Sequence, residues 1–332
     1  MSHNIHQELT VIDGLQYSKW DRSIFQQLQQ GGLSAVHVTI AYWENMVEAI
    51  RNIGQWNRWF EEHGDLIMPV KVAEDIRIAK KLGKVGIIFG FQNCSPIEDD
   101  INLVEIFHQL NVRIMQLTYN NQSPLATGCY EDDDGGVTRF GKAVIQEMNR
   151  VGMIIDMSHS SDRSTLEAIE LSARPITISH ANPKFFHPAL RNKTDIVLKA
   201  LAQAGGMLGF SAYPLHLANG SECTLTAFCD MVAQTADLIG LDHIGIGTDL
   251  CVGHDYAVLE WMRNGRWSKT TDYGEGSASS KKWPAPLQWL RNSTDFPNLT
   301  QGLLDKGFSK EETAKIMGQN WLNFYEQSFG PA

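Results

Sequence analysis

The chain has 332 residues, 43% of them hydrophobic and 20% charged, the profile of a globular protein with a sizeable core. A net charge of −10, with no basic cluster denser than Lys281-Lys282, excludes the concentrated positive surface that nucleic acid needs. No apolar run approaches the roughly 20 residues of a membrane span, the start MSHNIHQELT lacks a secretory pattern, and 5 cysteines without CxxC spacing read as free thiols of a cytoplasmic protein.

Residues 11–15 are the first strand candidate, and 21–30 a helix with Ile24, Phe25 and Leu28 on one face. Residues 35–40 form a second strand. Helices follow over 44–63 and 72–82, stopped at Gly64 and Gly83. Residues 85–91 are the third strand, 101–110 a helix, and 112–118 the fourth strand. The acidic run Glu131-Asp132-Asp133-Asp134 reads as a solvated loop, with a calcium site as the minor alternative. A helix over 140–150 leads into the stretch on which the chain turns. Residues 153–158 are an apolar run closing on Ser158-His159, and 175–179 a second one closing on Ser179-His180. Between them, 162–172 is an amphipathic helix with Ser161 or Asp162 as its N-cap. Strand, helix and strand with short joins make a βαβ unit, so both imidazoles end on one face of a parallel sheet, where α/β proteins build their sites. A helix over 195–204, a seventh strand over 207–211, a helix over 225–239 and an eighth strand over 243–248 complete the series.

Eight strands alternating with helices predict a single α/β domain, a (β/α)8 TIM barrel with C-terminal helices. Its core covers about 11–250, a loop insertion 252–297, and the final helices 298–327. The insertion carries Trp261, Trp267, Trp283 and Trp289, which, if exposed, suit a subunit interface and a homo-oligomer. Residues 309–327 open on the capping box Ser309/Glu312 and are expected to close the barrel's flank. Tyr17, Trp20, Tyr42, Trp43 and Tyr119 fall at or just after strand ends. They either pack core and rim, or offer aromatic faces to an organic cation at about 0.5–2 kcal/mol per contact.

The sequence IDMSH, then ISH about twenty residues on, the Arg191-Asn192 pair, HIGIGTD and the GxNW segment Gly318–Trp321 resemble the renal (membrane) dipeptidase family. These are zinc dipeptidases on a (β/α)8 barrel, related to the amidohydrolases. The resemblance implies that His159 and His180 bind one zinc, that Arg191 holds substrate, and that Asp249 sits beside the metal and the attacking water. It breaks elsewhere. The family's His-x-Asp at the first strand is matched by Leu15 and Tyr17, its bridging glutamate by Gln92, and its carbonyl-polarising histidine by Tyr119. A two-zinc site needs anionic and imidazole ligands to offset its charge, so one zinc at most is expected, held by His159, His180 and Gln92, with Asp249 or water completing it.

The expectation is a hydrolase acting on a small amide or amino-acid-derived substrate. Asp249 is its base, Arg191 a carboxylate anchor and Tyr119 a donor to the carbonyl, with Tyr17 and Tyr42 also contacting substrate. The competing expectation is a metal-free barrel that binds or transforms a small cationic or amino-acid-like ligand without peptide hydrolysis. His187, His216 and His254 lie in loops after the sixth, seventh and eighth strands and are kept as alternates for the site, with solvation the favoured reading.

Overall fold

The computed structural model describes residues 2–266, 269 and 282–330. Its strands are β1 (Ile12–Gln16), β2 (Ala35–Ala41), β3 (Ile67–Pro69), β4 (Val85–Phe91), β5 (Val112–Gln116), β6 (Ile154–Asp156), β7 (Thr177–Ala181), β8 (Met207–Phe210) and β9 (Ile244–Ile246). All pair in parallel, in the order β1-β2-β4-β5-β6-β7-β8-β9, with short β3 beside β4. The ring is joined just past β9, where Asp249 N–H donates to Leu15 O at 3.0 Å and Tyr17 N–H to Leu250 O at 2.9 Å. This is the (β/α)8 barrel the alternation predicts. The barrel strands are near-continuous apolar runs because both faces are covered, the inner by the opposite strands and the outer by helices. The helices carry their own boundary signals: Asp21, Asn45, Thr138 and Ser161 each cap one by accepting a backbone N–H.

Several elements differ from what the sequence predicts. Strand β3 has no sequence signal, because three residues ending in proline carry no periodicity. The insertion is not only a loop: it contains the helix Tyr256–Asn264, with Leu259, Met262 and Arg263 buried. The first of the expected final helices, Phe296–Lys306, starts two residues early and packs on the helix Leu225–Ile239. The expected helix over 309–327 is three pieces, Lys310–Ala314, a π turn Lys315–Gln319 and Asn320–Ser328. Gly318 breaks it, because its extended backbone lies against Thr10, where a Cβ would stand 2.4 Å from the carbonyl oxygen.

That last segment closes the bottom of the barrel and not its flank. Trp321, Leu322, Phe324 and Tyr325 form a separate apolar cluster with Ile12, Ala35, Ile154 and Met207, the residues that begin β1, β2, β6 and β8. The Trp321 indole lies over Gly14, Gly209 and Gly245 and donates from Nε1 to Ile246 O at 2.9 Å. With the lower mouth sealed, the upper, C-terminal mouth is left for chemistry. Among the insertion tryptophans, Trp289 is buried, tilted against Phe228 and bonded through Nε1 to Cys223 O, while Trp261 and Trp283 are half-buried. Trp289 is thus packed into its own subunit, whereas Trp261 and Trp283 keep part of their surface exposed; Trp267 lies outside the described residues. All five cysteines are free, and no described helix is long and apolar enough to cross a membrane.

Candidate active site

The two Ser-His endings are locked together from below. Asp156, the last residue of β6, accepts four hydrogen bonds: from Ser158 N (3.0 Å) and Oγ (2.6 Å), and from Ser179 N (3.1 Å) and Oγ (2.5 Å). Both hydroxyl protons are spent on that carboxylate. The Ser179 oxygen, 2.7 Å from His180 Nδ1, is therefore the acceptor, and the proton of His180 sits on Nδ1. His159 Nδ1 lies 2.6 Å from Asn120 Oδ1, which fixes its proton on Nδ1 as well. Burial, and next the charge of Arg191, hold both rings neutral, well below the ordinary histidine pKa.

Neutral rings protonated at Nδ1 present lone pairs at Nε2. These two atoms face each other at 3.0 Å. Gln92, at the exit of β4, adds a third lone pair. Its amide N–H groups donate to Thr39 Oγ1 (2.7 Å) and Tyr42 Oη (2.8 Å), which turns Oε1 to within 3.1 Å of His159 Nε2. The lone pairs of His180 Nε2 and Gln92 Oε1 thus both face His159 Nε2, a repulsive arrangement unless a cation sits among them. Two outer groups, Asn120 and Ser179, hold the imidazoles in the tautomer a metal requires. The residues thus fit one ion held by two imidazoles and an amide oxygen. They do not fit two: among the described residues no three His, Cys, Asp or Glu side chains converge on one point. Leu15 is fully buried, and burial pushes the Tyr17 hydroxyl up and keeps it neutral.

A cavity of about 50 Å³ above these atoms is lined by Gln92, Tyr119, His159, Arg191, His216 and Asp249, among others. Tyr119 stacks on His159 at 4.1 Å between ring centroids. Arg191 is neither a surface ion pair nor a loose clamp. Its guanidinium is buried and donates from Nη1 to Ser158 O and from Nη2 to His180 O (2.9 Å), bracing both histidine segments while its charge borders the cavity. Asp249 lies beyond β9 with a left-handed backbone (φ 59°), a conformation that Asp and Asn tolerate better than most residues. Burial pushes its carboxyl up to about 7; Arg191 opposes the rise and Asp13 adds to it.

Other residues depart from expectation. Tyr17 and Tyr42 do not line this cavity. They interlock edge-to-face at 4.7 Å, and Tyr42 meets Tyr119 in the same way at 5.1 Å, so the three form a wall beside the site. Trp20 joins a different cluster, with Phe25 and Trp56. His216 is buried, bonded to Ser211 Oγ at 2.9 Å, and faces the cavity instead of solvent. His254 is stacked on Tyr17. In the acidic run, Asp134 accepts from Ser161 Oγ and Arg163 N and so fastens the start of the helix Asp162–Leu171. Sequence reasoning misses Asp156 and Asn120. The matching DMSH and TISH endings hint at the former, whereas nothing around Asn120 marks it.

Known proteins share this outline. The model of the membrane dipeptidase family (Peptidase family M19) matches residues 19–264, and an amidohydrolase from Pseudomonas aeruginosa superposes with a TM-score of 0.93 at 36% identity, covering 99% of each chain. The chain belongs to the membrane dipeptidase family. A dipeptidase of Claviceps purpurea is 26% identical over 279 residues, and that match spans 83% of this chain but only 59% of the fungal protein. A metallopeptidase from Rhodobacter sphaeroides, solved with a phosphinate mimic of the dipeptide L-Ala-D-Ala, shares the fold at a TM-score of 0.80 and 17% identity. As a membrane dipeptidase family member the chain is built on the barrel that these dipeptidases and the amidohydrolase share.

Proposed function

We propose that the chain hydrolyses the amide bond of a small, anionic, amino-acid-derived substrate, using one divalent ion of the zinc class where its family uses two. The approach of His180 Nε2 and Gln92 Oε1 to His159 Nε2, with both rings assigned their proton on Nδ1, is the observation that supports this reading. An ion held there would supply Lewis acidity toward water and the amide carbonyl. Asp249, on the same cavity wall, takes a proton as general base and returns it to the leaving nitrogen. The Tyr119 hydroxyl, kept neutral by burial, donates to the carbonyl oxygen. Arg191 and the buried Arg263 make the lining positive on balance and favour a carboxylate on the substrate. A cavity of about 50 Å³ restricts the reacting part of that substrate to a compact group.

The test is elemental analysis of protein purified without a chelating tag, then a screen of N-acyl amino acids and dipeptides. One ion per chain, with turnover of anionic amides that a chelator abolishes, is expected. Two ions, or full activity in protein holding none, would sink the proposal.

Asp249 also sets a pH dependence. As a base it must be ionised, so the rate falls as pH drops through about 7, and a bound cation moves that midpoint lower. An Asp249→Asn variant is expected to lose about 10²–10⁴-fold in rate. Its effect on stability has the opposite sign. A carboxyl raised from 3.8 to about 7 keeps in the folded state a proton that the unfolded chain releases, so it costs stability progressively as pH rises across that interval. Metal-free Asp249→Asn protein should melt higher than the parent at pH ~8 and alongside it at pH ~3. An unchanged difference across that range would show that Asp249 is not a buried, uncompensated acid.

A further inference from the structure

A second cavity, of about 300 Å³, lies between the chain that leaves β9 and the last part of the insertion. Tyr213, Asp249 and Cys251 line both this cavity and the first, and all three keep part of their surface exposed. The two spaces thus adjoin at the group proposed as general base.

Their linings differ in character. The first is rich in charge and imidazole. The second is walled by Leu250, Val252, Trp283, Pro284 and Pro286, none of them fully buried, and by the buried Leu287. Its polar groups are committed elsewhere. Trp283 Nε1 donates to Asp255 O at 2.8 Å, and Thr248 Oγ1 to Asp13 Oδ2 at 2.5 Å. The Tyr213 hydroxyl bonds Arg263, which lines the first cavity and not the second. Arg291, the one Lys or Arg in the lining, is closed on Asp295 by guanidinium contacts of 3.1 and 3.2 Å. The His254 ring is stacked on Tyr17. Such a space offers a ligand mainly apolar contact, and its volume is that of the smaller ligand pockets.

Charge decides which way a substrate runs. On the amide-hydrolase reading its carboxylate belongs in the first cavity, beside Arg191 and Arg263, and Asp249 returns a proton to the amide nitrogen. The amino-acid half is thereby assigned to the first cavity, and the acyl half is left for the second.

We propose that the second cavity receives an apolar acyl chain of medium length, so that the substrates are N-acyl amino acids. This inference rests on the amide-hydrolase reading, and its test separates the two.

The experiment compares N-acetyl-, N-hexanoyl- and N-octanoylglycine. Turnover is measured with the metal-loaded parent chain, and affinity by calorimetry on the full chain carrying His180→Ala. Affinity is expected to rise about two- to fourfold for each methylene that enters the cavity. Trp283→Ala, which removes one wall, should weaken octanoylglycine about tenfold and acetylglycine least. Pro286→Asp, at an exposed position, places a charge on the same wall and should act in the same direction; it serves if the first variant does not fold. Affinity that is flat or falls with chain length overturns the proposal, even where acetylglycine is turned over. Affinity that rises with length, without turnover of any acylglycine, supports the cavity and counts against the hydrolytic reading instead. Tighter binding of leucylglycine than of hexanoylglycine also overturns it, because the cavity would then hold an ammonium group beside Asp249.

Discussion

A His180→Ala variant is expected to lose its metal and to fall on the order of a thousandfold or more in kcat/KM, because Lewis acidity at the carbonyl contributes several kcal/mol. The loss should be all-or-none in metal content. With His180 gone, only one imidazole and a neutral amide remain at the site, and neither brings an anionic charge to hold a divalent ion. Ser179→Ala supplies the graded comparison. It keeps both imidazoles but removes the acceptor that holds the His180 proton on Nδ1, and such outer contacts typically govern 10–100-fold in affinity or rate. Elemental analysis and single-substrate kinetics of the two variants, with circular dichroism to check folding, would decide the matter. Undiminished turnover in His180→Ala would mean that the imidazole pair is structural and that the chemistry lies elsewhere in the cavity.

Trp321→Ala should be the most destabilising single change outside the site, at about 3–5 kcal/mol. The indole is fully buried and plugs the lower mouth, and its Nε1 satisfies the Ile246 carbonyl, so truncation leaves both a cavity and an orphaned acceptor. The glycines it covers cannot move in to fill the space. Net stabilities are commonly only about 5–15 kcal/mol, so a loss of this size should shift the urea midpoint strongly. Trp321→Phe keeps the ring and drops the donor, and should cost markedly less. A loss below about 1 kcal/mol in Trp321→Ala would show that the mouth can repack.

The barrel and its upper rim are legible in the sequence because their signals are local. Apolar runs end on Ser158-His159, Ser179-His180 and Asp249, and parallel strands deliver the residues beyond their ends to a single rim. The two imidazoles meet as the βαβ unit implies. Features set by long-range contact are not legible. That the C-terminal segment seals the bottom depends on Gly14, Gly209 and Gly245 being small at one level of three different strands. The roles of Tyr17 and Tyr42 turn on which way each ring faces beyond the strand end, which alternation does not specify. Arg191 borders the cavity as the resemblance implies, but its bracing of Ser158 and His180 depends on a return of the chain that its neighbours do not encode. Asn120 sits in an aperiodic loop after β5, and only the folded contact with His159 reveals its part.

The interlocked Tyr17, Tyr42 and Tyr119 also make the proposed one-ion arrangement hard to convert into a two-ion site. Installing the family's ligands would take Leu15→His, Tyr17→Asp and Gln92→Glu, and the last two each carry a cost that can be read from their neighbours. Aspartate at position 17 withdraws a ring from Tyr42 and His254 and buries a charge with nothing to offset it. Glutamate at position 92 can still take hydrogen bonds from the Thr39 and Tyr42 hydroxyls, but it buries a charge where the amide has none. Each of these two changes is expected to cost stability when made alone, and because the positions share partners the changes should be strongly non-additive. In evolutionary terms the tyrosine wall acts as a ratchet.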